Sequence, residues 1–146
     1  MTQTLSVRDL DVGGRRVFVR VDFNVPLKDA RVADDTRIRA SLPTLRSILE
    51  RGGLPVIASH LGRPKGKPVP EMSLRPVADR LAALLGTKVI QAPDCVGAEA
   101  DSLARGLRPG ESLLLENLRF HPEEEANDDA FSRRLASPVE RYVNDA

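Results

Sequence analysis

The sequence predicts an α/β domain in which a parallel sheet lies between two layers of helices. Two observations predict it. Short apolar runs rich in β-branched residues alternate with longer stretches of helical periodicity. Most of those runs are continuously apolar, as strands buried on both faces of a parallel sheet are. The expected architecture is a Rossmann-like three-layer domain, and its ligands should sit beyond the carboxyl ends of the strands.

Five strands are expected. Arg16–Val21 (RVFVRV) alternates with period two. Leu54–Ser59 (LPVIAS), Lys88–Gln91 (KVIQ), Ser112–Leu115 (SLLL) and Arg141–Asn144 (RYVN) are short and apolar. Helices fall between them. Ile38, Leu42, Leu45 and Leu49 hold one face, and Gly52-Gly53 ends that helix. Pro43 lies within this pattern, so it should kink the helix or mark its true first turn. Ser73 is expected to cap a second helix with the face Leu74, Val77, Leu81 and Leu84, stopped by Gly86. Cys95 to Gly106 is a weaker third helix. A fourth should start at Asn127 or Asp128 and run to Ala136, before Ser137-Pro138.

Composition narrows the function classes. The chain has 146 residues, enough for one domain, with 41% hydrophobic and 29% charged residues. Only 3% are aromatic, so Leu, Val, Ile and Ala must build the core. A net charge of +1 gives no global field for nucleic acid or an anionic membrane. No apolar run approaches the roughly 20 residues that span a bilayer. Met1 to Leu10 is polar and does not read as a signal peptide. The single cysteine, Cys95, excludes an internal disulfide and suits a reducing, cytoplasmic setting.

Three strand ends carry similar polar chemistry. The first is followed by Asp22-Phe23-Asn24-Val25-Pro26, and the second by His60-Leu61-Gly62-Arg63-Pro64-Lys65-Gly66. The fourth is followed by Glu116-Asn117-Leu118-Arg119-Phe120-His121-Pro122. Arg37 opens the first helix soon after the first of these. Guanidinium forks match pairs of phosphate or carboxylate oxygens. Three arginines and a histidine suit a ligand with several anionic oxygens, and Asp22 with Asn24 could take a hydroxyl. Read from the residues alone, this is a site for a small anionic, hydroxylated metabolite.

Taken singly, each feature has a plainer reading. A surface arginine is usually a solvated charge, Asp22-Phe23-Asn24 could be an Asx turn, and His60 could be structural. Their gathering on one predicted face favours the site. Other motifs fail. Gly62 to Lys67 has three residues between its glycines where a phosphate loop needs four, and Pro68 follows the lysine. No GxGxxG follows a strand. No cysteine–histidine spacing suggests zinc, and Glu123-Glu124-Glu125 reads as a solvated lead into a helix, so no metal site is expected.

The same segments resemble the phosphoglycerate kinase family. RVFVRVDFNVPL (Arg16–Leu27), DTRI (Asp35–Ile38), SHLGRPKG (Ser59–Gly66), LLENLRFHPEEE (Leu114–Glu125) and YVNDA (Tyr142–Ala146) are similar to five of its motifs, in order. The resemblance runs from about Leu10 to the last residue. It implies a glycolytic enzyme that moves a phosphoryl group between 1,3-bisphosphoglycerate and ADP, giving 3-phosphoglycerate and ATP. It also implies a cytoplasmic protein, monomeric at full length. Residues 1–146 would be an incomplete N-terminal triose-phosphate-binding domain. Mg-ATP or Mg-ADP would belong to a C-terminal domain outside this chain.

The resemblance assigns substrate contacts to Asp22, Phe23, Asn24, Arg37, His60, Leu61, Gly62, Arg63 and Arg119. Arg37 would also be catalytic, stabilising the transferred phosphoryl group. Asp22 and Asn24 would hold the glycerate hydroxyl and carboxyl end, and His60, Arg63 and Arg119 the 3-phosphate. The loop Ala136 to Arg141 departs from the family pattern. The isolated residues are expected to bind the triose without turning it over. The alternative is a non-catalytic binding module for a phosphorylated acid.

Overall fold

A computed structural model describes residues 12–29, 31–62, 72–121, 139 and 141–145. The strands are β1 (Arg16–Val21), β2 (Leu27–Lys28), β3 (Arg31–Val32), β4 (Leu54–Ala58), β5 (Lys88–Gln91), β6 (Glu111–Leu114) and β7 (Arg141–Asp145). The helices are α1 (Thr36–Glu50), α2 (Arg75–Leu85) and α3 (Ala98–Arg105). β2 and β3 form a small antiparallel hairpin. The other five strands make one sheet in the order β5-β6-β4-β1-β7, and every pair in it is parallel.

Alternation along the strands divides the core into two clusters, one on each face of the sheet. Val17, Val19 and Val21 of β1 point to one face with Ile57 and Leu114, and Phe18 points to the other with Val56, Ala58 and Leu113. Ile38, Leu42, Leu45 and Ile48 of α1 and Val77, Ala78 and Leu81 of α2 cover the first face. Ala100 and Ala104 of α3, with Ala92, Val96 and Leu107, cover the second. The three-layer α/β architecture expected from the sequence is therefore the one observed.

The details differ in instructive ways. The buried stripe of α1 ends on Ile48, while Leu49 is only half-buried, because the helical period brings the third residue after Leu45 inward. Pro43 is not in the first turn. α1 begins seven positions earlier at Thr36, and Pro43 sits exposed within it. There its missing N–H deprives only a solvent-facing carbonyl. The third helix starts at Ala98, three residues later than Cys95. The fourth expected helix, at Asn127 or Asp128 to Ala136, lies outside the described residues. Among the described residues no helix is long and apolar enough to cross a membrane.

Gly53 fixes the turn from α1 into β4. A Cβ there would lie 2.6 Å from Ile48 Cγ2, 3.0 Å from the Ile48 carbonyl oxygen and 3.1 Å from that of Val12. Ile48 is fully buried and two of these atoms are backbone, so the crowding has little room to relax. Gly53→Ala should therefore cost about 1–3 kcal/mol of stability in a urea denaturation series. An unchanged midpoint would show that the turn relaxes freely.

Candidate functional site

β6, β4 and β1 are adjacent and parallel, so the polar segments that follow them emerge side by side at one edge of the sheet. Those are the three segments singled out in the sequence. The structure shows how they are tied together. Ser59 Oγ accepts the Phe23 N–H at 2.9 Å and donates to the His60 carbonyl at 3.0 Å. Asn24 Oδ1 accepts the Gly62 N–H at 2.9 Å. Asn117 Nδ2 donates to the Leu61 carbonyl at 2.7 Å and to the Met72 carbonyl at 3.0 Å. Apart from the local Ser59–His60 bond, each of these joins residues at least 36 apart in sequence.

Gly62 is at this junction because of its backbone. Its φ is 63°, in the left-handed region, and a Cβ would meet Met72 Sδ at 3.1 Å. A side chain here would disturb the amide that Asn24 holds.

Arg37 reaches the same rim from the first turn of α1. Its Nη1 donates to the Asn24 carbonyl at 2.6 Å and to Asp22 Oδ1 at 3.3 Å. Asp22 Oδ1 also accepts the Asn24 N–H at 3.1 Å. Arg37 and Asp22 remain half-open to solvent, at 53% and 45% side-chain exposure, so this ion pair contributes little to stability and leaves both groups reachable. A depression of about 330 Å³ lies beside them, lined by Asn24, Val25, Pro26, Asp34, Thr36 and Arg37. Asp34 Oδ1 accepts the Thr36 N–H at 2.9 Å and its hydroxyl at 2.6 Å, which anchors the start of α1.

The expected site residues thus fall into groups. Asp22, Asn24, Arg37 and Gly62 meet in one hydrogen-bonded network, and His60 is partly exposed at the end of β4. Phe23 and Leu61 have buried side chains, at 0% and 4% exposure, so both support the rim from the core instead of presenting a side chain to a ligand. Leu118–Phe120 forms a 3-10 turn after β6 and carries the Arg119 backbone. Arg63 lies outside the described residues.

Three polar residues important to the rim had no role assigned from sequence: Ser59, Glu116 and Asn117. All are buried. The sequence marks only their position, at or just after the ends of apolar strands, and not their partners. The Glu116 carboxylate accepts the N–H groups of Leu74 and Asn117, each at 2.8 Å, and the Ser73 hydroxyl at 2.7 Å. It thereby takes much of the capping role expected of Ser73, which holds the Arg75 N–H at 3.2 Å. A carboxylate at a helix N-terminus also satisfies the helix dipole. Glu116→Ala would leave two buried amides and the part-buried Ser73 hydroxyl without this acceptor and should cost roughly 1–3 kcal/mol. Glu116→Gln, which keeps one acceptor oxygen, should fall between it and wild type in chemical denaturation; equal stability of all three would refute the bridging role.

A larger cleft of about 850 Å³ lies against α1 and α2, with Arg31, Asp34, Asp35, Arg39, Asp79 and Arg80 in its walls. Its central charges neutralise one another. Asp35 accepts from Arg39 Nε at 2.9 Å and from Arg80 Nη2 at 2.6 Å. Bonds from Arg39 and then Arg80 hold the Asp35 carboxyl below its ordinary range. A depressed folded pKa stabilises above the unfolded value of about 3.9 and loses that effect as pH falls through the folded one. The stability gap between wild type and Asp35→Asn should therefore be full near neutrality and close in acid, below about pH 4. A gap independent of pH would count against this pairing.

Comparison with known proteins bears on the family and the fold. The family model described as phosphoglycerate kinase matches residues 7–146. Among similar proteins, phosphoglycerate kinase of Chloroherpeton thalassium is 58% identical over 141 residues, covering 97% of this chain and 36% of that protein. That of Moorella thermoacetica is 57% identical over 142 residues, with the same coverage. The solved phosphoglycerate kinase of Coxiella burnetii superposes with a TM-score of 0.83 at 35% identity, covering 99% of this chain and 36% of that one. The Pyrococcus horikoshii structure gives 0.81 at 33% identity, covering 95% and 36%. The chain thus spans little more than a third of the length of the relatives it matches.

Proposed function

The chain belongs to the phosphoglycerate kinase family, and from that premise we propose that residues 1–146 supply the triose-phosphate site of such an enzyme. The reaction is reversible phosphoryl transfer between 1,3-bisphosphoglycerate and ADP, giving 3-phosphoglycerate and ATP. One observation carries the reading: Arg37 is pinned through Nη1 to the Asn24 carbonyl and Asp22, beside an amide junction joining two strand ends.

That arrangement suits the chemistry. With Nη1 engaged, the Nη2 and Nε edge of Arg37 is left to face phosphoryl oxygens as a planar fork. Asp22 Oδ2 can accept the glycerate hydroxyl while Asn24 Nδ2 donates to the carboxyl end. In the reverse direction the nucleophile is the substrate's own carboxylate, ionised at neutral pH, so no general base is required. What remains is positioning and stabilisation of charge on the equatorial oxygens, which a fixed guanidinium can supply. His60, Arg63 and Arg119 are assigned to the 3-phosphate, with the backbone around Phe23, Leu61 and Gly62 shaping the floor.

Magnesium nucleotide is the co-substrate. Asp22 Oδ1 is already engaged by the Asn24 N–H and Arg37, which fits a hydroxylated anion better than a magnesium ion. No nucleotide or metal contact is therefore assigned to these residues, and no step is derived through one. The same proposal places the enzyme in the cytoplasm as a monomer, without membrane or nucleic-acid partners.

Amide resonances can test the site directly. Titrating 3-phosphoglycerate into the chain should shift the Asn24 and Gly62 amides with a dissociation constant on the order of millimolar or weaker. Arg37→Ala should weaken that response and, in the complete enzyme, lower turnover by about 100-fold or more. Unmoved Asn24 and Gly62 amides would remove the basis for the site. A coupled assay on the 146 residues alone should stay at background, because closure around the reacting groups needs a second wall; clear turnover would disprove this separation of binding from catalysis.

A further inference from the structure

The carboxyl edge of the sheet carries a second cluster that the triose site does not use. The loop between β5 and α3 and the turn after β6 bring Asp94, Cys95 and His121 together. One potential ligand atom from each lies within 4.8 Å of the other two. His121 Nε2 is 2.6 Å from Asp94 Oδ1, across 27 residues of sequence. No cysteine–histidine spacing signalled such a site, because the fold and not a short motif makes it. The Cys95 N–H donates to the same Asp94 oxygen at 2.6 Å, fixing the carboxylate beside the thiol.

We propose that Asp94, Cys95 and His121 form a binding site for a borderline-soft divalent transition-metal ion, with Zn²⁺ the ion it fits best. A thiolate, an imidazole and a carboxylate together select such an ion over Mg²⁺ or Ca²⁺, which take oxygen ligands. Metal–nitrogen and metal–sulfur bonds of about 2.0 and 2.3 Å put tetrahedral ligand atoms roughly 3.3–3.8 Å apart. The His121–Asp94 pair must therefore open by less than about 1 Å. On binding, the His121 Nε2 lone pair turns to the metal with the ring proton on Nδ1, and the Cys95 thiol proton leaves to solvent.

The surroundings suit entry from one side. Cys95 is 3% exposed and lies among Ala92, Val96 and Leu118 in the core cluster on the α3 face. Asp94 and His121 are open at 50% and 23% of their side chains, so the ion would approach from solvent and meet the thiol behind them. Three protein ligands leave a fourth position for water or a small anion. His121 directly follows the 3-10 turn that carries Arg119, so an ion here would stiffen the same strand end as the triose site.

Cobalt tests this, because a thiolate bound to Co²⁺ gives a near-ultraviolet charge-transfer band. Titrating Co²⁺ into the full chain should produce that band with intense four-coordinate d–d absorption, saturating at a single ion and displaced by Zn²⁺. Cys95→Ser should abolish the charge-transfer band. His121→Asn, at a partly exposed position, should keep the wild-type circular dichroism. It should weaken Co²⁺ by more than the roughly 10–100-fold that loss of an outer-shell partner costs. His60→Asn should bind as wild type. Absence of the charge-transfer band in wild type, its survival at unchanged affinity in His121→Asn, or its loss in His60→Asn would each overturn the assignment.

Discussion

A parallel sheet buried on both faces must end every strand at the same edge, and there the backbone runs out of ladder partners. In this chain three adjacent strands, β6, β4 and β1, stop together, and their polar groups are satisfied by side chains reaching across from neighbouring loops. Ser59 takes the Phe23 amide, Asn24 the Gly62 amide, Asn117 the Leu61 carbonyl and Glu116 the amide of Leu74. Each bond satisfies a group that would otherwise be costly to bury. Each also fixes one loop relative to another. The rim is rigid for the same reason that it is satisfied, which is what a site working by positioning needs.

That constraint explains which side chains remain for a ligand. Residues that support the rim are buried: Ser59 at 1%, Asn117 at 0%, Glu116 at 8%. Residues that could bind are open: Asp22 and Arg37, both about half-exposed and both held by one atom only. The larger cleft between α1 and α2 offers more volume but less opportunity. Asp35 is gripped by two arginines there, and charges that already neutralise each other have little left for a solute. Volume alone favours the cleft, whereas unspent hydrogen-bonding capacity favours the rim.

The fold was legible because its signals are local. Alternation along RVFVRV and the continuous apolar run of β4 marked two of the strands, and Gly86 ends α2 where a stop was expected, in a left-handed conformation with φ of 69°. Strand order was not legible, since nothing in a run such as KVIQ says that it lies outside β6 at one edge of the sheet. The site divides the same way. Asp22, Asn24, Arg37 and Gly62 were readable as polar or glycine residues after strands. The work of Ser59, Glu116 and Asn117 was hidden, because their partners lie 36 to 56 residues away and only the folded chain brings them close. The Leu49 expectation missed for a smaller reason: a step of three or four from Leu45 satisfies the helical period equally, and packing chose Ile48.

The Asp94–Cys95–His121 cluster follows from the same constraint applied one strand further out. β5 pairs with β6 in parallel, so its end reaches the same edge, and the loop that begins α3 must turn back over the core. Cys95 goes inward as a small apolar side chain would, and Asp94 stays at the surface, where its carboxylate satisfies the Cys95 amide. His121 reaches that carboxylate from the end of β6. A buried thiol, a half-open carboxylate and an imidazole converge because two neighbouring strands end there. On this sheet the position of a strand end decides which residues meet, and the chemistry each group retains decides what the meeting can do.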